Sequence, residues 1–192
     1  FPWLSAQEIE LGFGRALALR VNYVGELGWE LHLPMEQLLP AYERIVAAGE
    51  AHGIRDVGIY AVESLRLDKG YRAWKQDLET GFTALEASLD RFVDLGKPDF
   101  VGKAALLAER ERGVAQRLVP LTLDEPGEHD APFCAPVHAG GERVGLVTSG
   151  FWSFTLDQSV ALAYVRSDLA RPGSRVAVEA YGRLVPATVR AE

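Results

Sequence analysis

Beyond Gly113 the chain changes its pattern, and that change constrains the fold more than any other feature of the sequence. Six short stretches (118–123, 137–139, 143–148, 160–166, 175–180 and 184–190) alternate larger apolar residues with polar or small ones. Turns rich in glycine, proline and aspartate separate them. Side chains of a strand point alternately to its two faces, so each stretch offers one face to a core. Regularly spaced short strands of this kind predict a small barrel or sandwich. Gly140-Gly141 is a candidate hairpin turn within it.

Upstream, the pattern mixes one hairpin with helices. Leu17, Leu19, Val21 and Tyr23 alternate with Ala18, Arg20 and Asn22, which predicts a strand over 15–23. The turn 24–28 holds Gly25 and Gly28, and 29–33 returns with Trp29, Leu31 and Leu33 on one face and Glu30 and His32 on the other. Before this hairpin, Ser5 to Glu8 reads as a capping box on a short helical turn. After it, Leu38, Leu39, Tyr42, Ile45 and Val46 predict a helix within 35–49. A second helix is expected from Gly58 to about Lys69, stopped by Gly70. The stretch 71–81 reads as an irregular, surface-forming loop. Leu85, Leu89 and Phe92 predict a helix over 84–95, and another is expected over 102–112.

Composition excludes several classes of function. A formal charge of −7 over 192 residues argues against a nucleic-acid module, whose footprint is a basic patch. Cys134 is the only cysteine, so no intrachain disulfide and no cysteine-based metal site is expected. His32, His52, His129 and His138 are scattered without metal-ligand spacing. No apolar run reaches the length of a membrane span, and Phe1-Pro2-Trp3 does not begin a signal peptide. A start without methionine reads as a piece of a longer polypeptide. Neither a P-loop nor G-x-G-x-x-G is present.

Four places hold candidate chemistry, each with a plainer alternative. Glu30 can read the N–H edge of a ligand, or be a solvated strand glutamate. Arg66 can clamp a ligand carboxylate, or pair with Glu63 one helical turn away. Tyr71 and Trp74 can stack on a flat heterocycle, or pack their loop onto the core. Thr148 to Ser153 offers hydroxyls and aromatics in an expected loop, without the spacing of a nucleophile elbow, and favours a structural use.

The wording of the chain adds to this. Residues 23–31, Tyr-Val-Gly-Glu-Leu-Gly-Trp-Glu-Leu, resemble the YVGELGWEL stretch of dimethylglycine and sarcosine dehydrogenases. Residues 64–74 resemble their SLRLEKGYRxW run, Leu85-Glu86-Ala87 their PLEAGL, and 99–106 their DFIGKxAL. Residues 144–150 and Ala163-Tyr164-Val165 complete the series in the same order, over nearly the full chain.

The resemblance implies a C-terminal tetrahydrofolate-binding region like the aminomethyltransferase (T-protein) of the glycine-cleavage system. The expected fold class is α+β: a partial folate-binding α/β core of hairpin plus helices, followed by a small all-β, Greek-key-like barrel. Residues 1–97 would be the later half of the folate-binding domain, 98–115 a connecting helix and linker, and 116–192 the barrel. The implied folate-binding residues are Glu30, gripping the pterin's amino and N–H edge, with Tyr23, Tyr71, Arg66 and His32. The family's catalytic aspartate belongs upstream, so no catalytic residue is assigned in this chain, and it should not turn over alone. FAD would sit in the upstream part of the parent enzyme, which oxidises an N-methyl amine before tetrahydrofolate captures the one-carbon unit as its 5,10-methylene derivative. The glycine-cleavage type carries a folate-contacting arginine where this sequence has Val62, which points to the dehydrogenase branch. The expected partners are folate, the parent's amine substrate, the missing N-terminal domains and a second copy of the chain; nucleic acid and membranes are not expected. The expected compartment is the cytoplasm, or the mitochondrial matrix in a eukaryote. The alternatives are a stand-alone glycine-cleavage aminomethyltransferase and a non-catalytic interaction module. For Tyr23 and Glu30 to meet one pterin, the hairpin must leave regular register between them, since a flat ladder would send them to opposite faces.

Overall fold

The computed structural model describes residues 1–124 and 130–191, so His129 lies outside the described residues. The chain divides into two units, Phe1–Val62 and Glu63–Glu192.

The first unit begins with an antiparallel sheet in the order β1 (Ala6–Glu10), β2 (Arg15–Leu19), β3 (Glu30–His32). The capping-box reading of Ser5 to Glu8 is corrected here. Residue 6 onward pairs with β2, Ala6 opposite Leu19 through Glu10 opposite Arg15, and the sheet bonds take the place of a helical turn. The hairpin strands are also shorter than expected. β2 pairs with β3 only from Leu17 opposite His32 to Leu19 opposite Glu30. Residues 20–29 form an irregular connection in which the Gly25 N–H donates to Asn22 Oδ1 at 2.6 Å. A 3-10 turn at Met35–Gln37 leads into helix α1 (Leu38–Gly49). The buried apolar residues of this unit are only Ala16, Ala18 and Ala41, while Leu27, Trp29, Met35, Leu39 and Tyr60 are exposed. Small alanines under a thin sheet make little core, and the larger side chains stay open.

The chain passes into the second unit within α2 (Ile59–Asp68), which is followed by α3 (Lys103–Arg112). Next come β4 (Gln116–Leu123), β5 (Pro136–Ala139), β6 (Glu142–Ser153), β7 (Gln158–Arg166), β8 (Arg175–Ala180) and β9 (Arg183–Val189). They close an antiparallel barrel in the order β4-β7-β6-β5-β8-β9, with β9 also paired to β4. Placing β4 beside β7, across the β5–β6–β7 meander, is a Greek-key arrangement. The two-residue link between β5 and β6 has Gly140 at φ 60° and Gly141 at φ 85°, the doubly positive pair that a type I′ turn requires.

Inward residues such as Leu121, Val137, Val147, Ala163, Val165, Val178 and Ala187 fill the barrel. Strand β7 is buried on both faces. Its other side (Val160, Leu162 and Tyr164) packs with Leu67, Ala87 and Leu118, and Phe82 stacks on Tyr164 with ring centroids 3.6 Å apart. Covering both faces explains why 159–165 reads as an almost unbroken apolar run.

Two further expectations are corrected. The helix expected over 84–95 is a series of turns with a 3-10 turn at Asp90–Phe92. Its start is in place, because the Thr83 N–H donates to Glu86 Oε2 and the Glu86 N–H to Thr83 Oγ1. Propagation fails because other groups take the carbonyls. Glu86 O accepts the Leu118 N–H, Ala87 O accepts Arg72 Nε–H, and Ser88 stands at φ 54°. The stretch 148–153, expected as a loop, belongs to the long strand β6.

Candidate functional site

The five candidate residues fall into two groups. In the first unit, Glu30 opens β3 and His32 closes it on the same face, with His32 Nε2 3.5 Å from Glu30 Oε2. Both side chains are more than half exposed, at 55% and 58%. His32 is the one ion-pair partner of Glu30 among the described residues, and the carboxylate retains acceptor capacity. Tyr23 stands exposed in the irregular connection beyond the end of β2. The ladder therefore stops before Tyr23, and the two residues are not fixed to opposite faces of a regular sheet.

In the second unit, Arg66 is completely buried. A guanidinium has five N–H donors, and here the protein takes all of them. Nε–H and Nη2–H donate to Glu63 Oε2, Nη1–H to the Tyr71 carbonyl at 3.0 Å and to Asp77 Oδ2 at 2.6 Å, and Nη2–H to Ser149 Oγ at 2.7 Å. With no donor left over, Arg66 is corrected from a ligand clamp to a structural cation. Its partner Glu63 is the one the helical spacing offers, but the second carboxylate is Asp77, also completely buried.

Asp77 is the residue that sequence reasoning missed. It sits in the stretch expected to form surface, and no motif marks it. Its carboxylate accepts from Arg66, from the Ala73 N–H at 2.7 Å, from Ser149 Oγ at 2.7 Å and from Thr148 Oγ1. A β-bulge in β6 makes this possible. Val147 pairs with Ala163 and Ser149 with Leu162, leaving Thr148 as the extra residue. The bulge bends the strand so that consecutive hydroxyls reach the same carboxylate oxygen. Gln76 Nε2 donates to Ser149 Oγ, and the Tyr164 hydroxyl donates to the Asp77 carbonyl at 2.9 Å. Burial, then the negative charges of Asp77 and Glu86, raise the Tyr164 phenol well above the ordinary tyrosine value. The network pins the turn 71–82, α2 and β6 together. Tyr71 lends it a carbonyl, and its side chain is partly buried.

A cavity of about 680 Å³ on the barrel is lined by His138, Glu179, Leu184 and Pro186 among others, and by none of the five candidate residues. His138 Nε2 lies 3.0 Å from Glu179 Oε2 there. Among the described residues no helix is long and apolar enough to cross a membrane. No group of three or more histidine, cysteine or acidic side chains among them is placed to hold a metal.

Comparison with known proteins gives a consistent assignment. The family model for the GCVT N-terminal domain matches residues 1–97, and that for the glycine cleavage T-protein C-terminal barrel domain matches residues 116–192. Mitochondrial dimethylglycine dehydrogenase of Rattus norvegicus is 40% identical over 190 residues, which are 98% of this chain and 22% of that protein. An aminomethyltransferase of Thermosynechococcus vestitus is 41% identical over 170 residues, 88% of this chain and 45% of its own length. The crystal structure of glycine cleavage system aminomethyltransferase T from Bartonella henselae matches with a TM-score of 0.88 at 26% identity. That match covers 100% of this chain and 52% of the other. The chain thus spans less than half the length of either of these two curated relatives.

Proposed function

The chain belongs to the glycine cleavage T-protein family, and from that premise we propose that it is the part of a one-carbon-transferring protein that grips tetrahydrofolate. The observation that carries this reading is the Glu30 carboxylate, half-exposed and with acceptor capacity to spare. Two oxygens of one carboxylate can accept a pair of N–H donors side by side, and a pterin offers such a pair along its amino edge. Tyr23 would lay its ring against the heterocycle, and His32 would steady the Glu30 side chain from the same face. Tyr71 is assigned on the resemblance alone, and Arg66 is left out because its donors are spent. Tetrahydrofolate, when bound, supplies the amine nitrogens that take up the one-carbon unit. This chain's residues bind and orient it, which is the positional share of catalysis.

In this reading the parent is a flavin-dependent dimethylglycine or sarcosine dehydrogenase or oxidase, with FAD and the amine site in its other domains. The apolar side chains left open in the first unit, Leu27, Trp29 and Met35 among them, would be covered by those domains or by a second copy. The relative in rat is mitochondrial, so the matrix is the compartment proposed for a eukaryotic parent and the cytoplasm for a bacterial one. A second reading, a stand-alone aminomethyltransferase, draws on the 41% identity to the Thermosynechococcus protein.

Titration of the full-length protein with tetrahydrofolate tests the first part. Losing a hydrogen-bonded charge costs about 1.5–3 kcal/mol. Glu30→Gln is therefore expected to weaken binding roughly 10- to 150-fold at about 1.4 kcal/mol per tenfold. Unchanged affinity in that variant, or no binding by the unsubstituted protein, refutes the assignment. Oxidation of dimethylglycine or sarcosine by the same protein separates the dehydrogenase reading from the aminomethyltransferase one.

A further inference from the structure

A cluster of arginines in the second unit shares no residue with the folate reading. Arg91 from the 3-10 turn, Arg117 from β4 and Arg190, just past β9, line one cavity of about 320 Å³. Three segments far apart in sequence thus contribute arginines to one lining. The one carboxylate in the lining is Asp90, and it is engaged with Arg117 at 3.0 and 3.5 Å. Arg91 rests over the ring of Phe92 at 4.7 Å, a contact that uses its face and not its N–H edge. Neither Arg91 nor Arg190 has a side-chain hydrogen bond or carboxylate partner among the described residues.

The floor of the notch is apolar and includes buried Leu118 and Val119, with Pro172 beside them. Like charges over such a floor repel more strongly than in bulk water, because the local dielectric is low. Two guanidinium groups with no carboxylate partner among the described residues, in a chain of net charge −7, are an arrangement that an anion would relieve. Guanidinium forks match groups that present two oxygens at once, and the cavity has the volume of a small-ligand site. We propose that this notch binds a small organic dianion whose charge sits on a phosphoryl group or on two carboxylates.

Calorimetric titration of the chain with inorganic phosphate and, separately, with glutarate tests this at low ionic strength. At least one of the two is expected to saturate with a dissociation constant of about 0.1–1 mM, the range of a few charge-assisted hydrogen bonds. Arg91→Gln and Arg190→Gln should each weaken it about tenfold, and Arg112→Gln, on α3 and outside the notch, should not. Tighter phosphate identifies a phosphoryl ligand and tighter glutarate a dicarboxylate; both uphold the site. Equal losses in all three variants would mean general electrostatic attraction and overturn it. So would saturation by neither anion, or full binding in the two notch variants. Thermal melts of each variant establish that a loss is not unfolding, and tetrahydrofolate titration of the same proteins keeps this outcome separate from that of the folate reading.

Discussion

Asp77→Ala is the substitution expected to damage the second unit most for its size. The carboxylate accepts from Arg66 Nη1, the Ala73 N–H, Ser149 Oγ and Thr148 Oγ1. Not all four donors are stranded by its loss. Thr148 Oγ1 already reaches the Leu162 carbonyl at 3.2 Å, and Arg66 keeps Glu63 as counter-charge. Arg66 Nη1 and the Ala73 N–H, however, lose a buried acceptor at about 1–3 kcal/mol each. Breaking a buried pair from one side costs about 3–5 kcal/mol. Because Glu63 still balances the cation, the lower part of that range applies, about 3–4 kcal/mol. Asp77→Asn keeps an acceptor oxygen while the two hydroxyls rotate to accept from the amide, so about 1–2 kcal/mol is expected. Amide exchange along β7 reads the second unit independently of the first. At about 1.4 kcal/mol per tenfold, exchange should accelerate by two to three orders of magnitude in the alanine variant and by about one in the asparagine variant. Acceleration below tenfold in Asp77→Ala, or equal effects of the two substitutions, would refute the reasoning.

Two further outcomes follow from the barrel and its cover. A methyl group added at Gly145 would stand 2.2 Å from the Tyr164 carbonyl oxygen, which is backbone and cannot swing aside. Gly145→Ala is therefore expected to lose about 2 kcal/mol, measured as a lowered urea midpoint. Tyr164, raised by burial first and by Asp77 and Glu86 next, should ionise well above the ordinary tyrosine value. Its contribution to stability is complete below about pH 10, the unfolded tyrosine value, and is lost as pH climbs beyond it. Ultraviolet titration should show a late step coincident with unfolding and absent in Tyr164→Phe; a titration curve that the substitution leaves unchanged at high pH would contradict it.

Local pattern was enough wherever the structure it names is closed by near neighbours. The barrel strands, α1, α2 and α3 and the Gly140-Gly141 turn answer to period and turn chemistry, and the family's wording marks the chain from Tyr23 to Val165. The pairing of Arg66 with Glu63 belongs here too, because helical spacing alone brings them together. Residues 84–95 spell a helix and have a genuine Thr83–Glu86 start, yet they form turns. Nothing nearby in sequence shows that Leu118 and Arg72 will take their carbonyls.

The same holds for the candidate site. Glu30 and His32 share a face by alternation, but where β2 ends, and hence how Tyr23 is carried, depended on how many residues the β2–β3 ladder would pair. Tertiary structure alone assigned Arg66 to the scaffold, because four of its acceptors had to be in place before its donors were spent: Glu63, Tyr71, Asp77 and Ser149. A bulge in a strand more than seventy residues away supplies the last of these. Side-chain periodicity is written residue by residue, whereas the satisfaction of a buried charge depends on partners gathered from the whole unit.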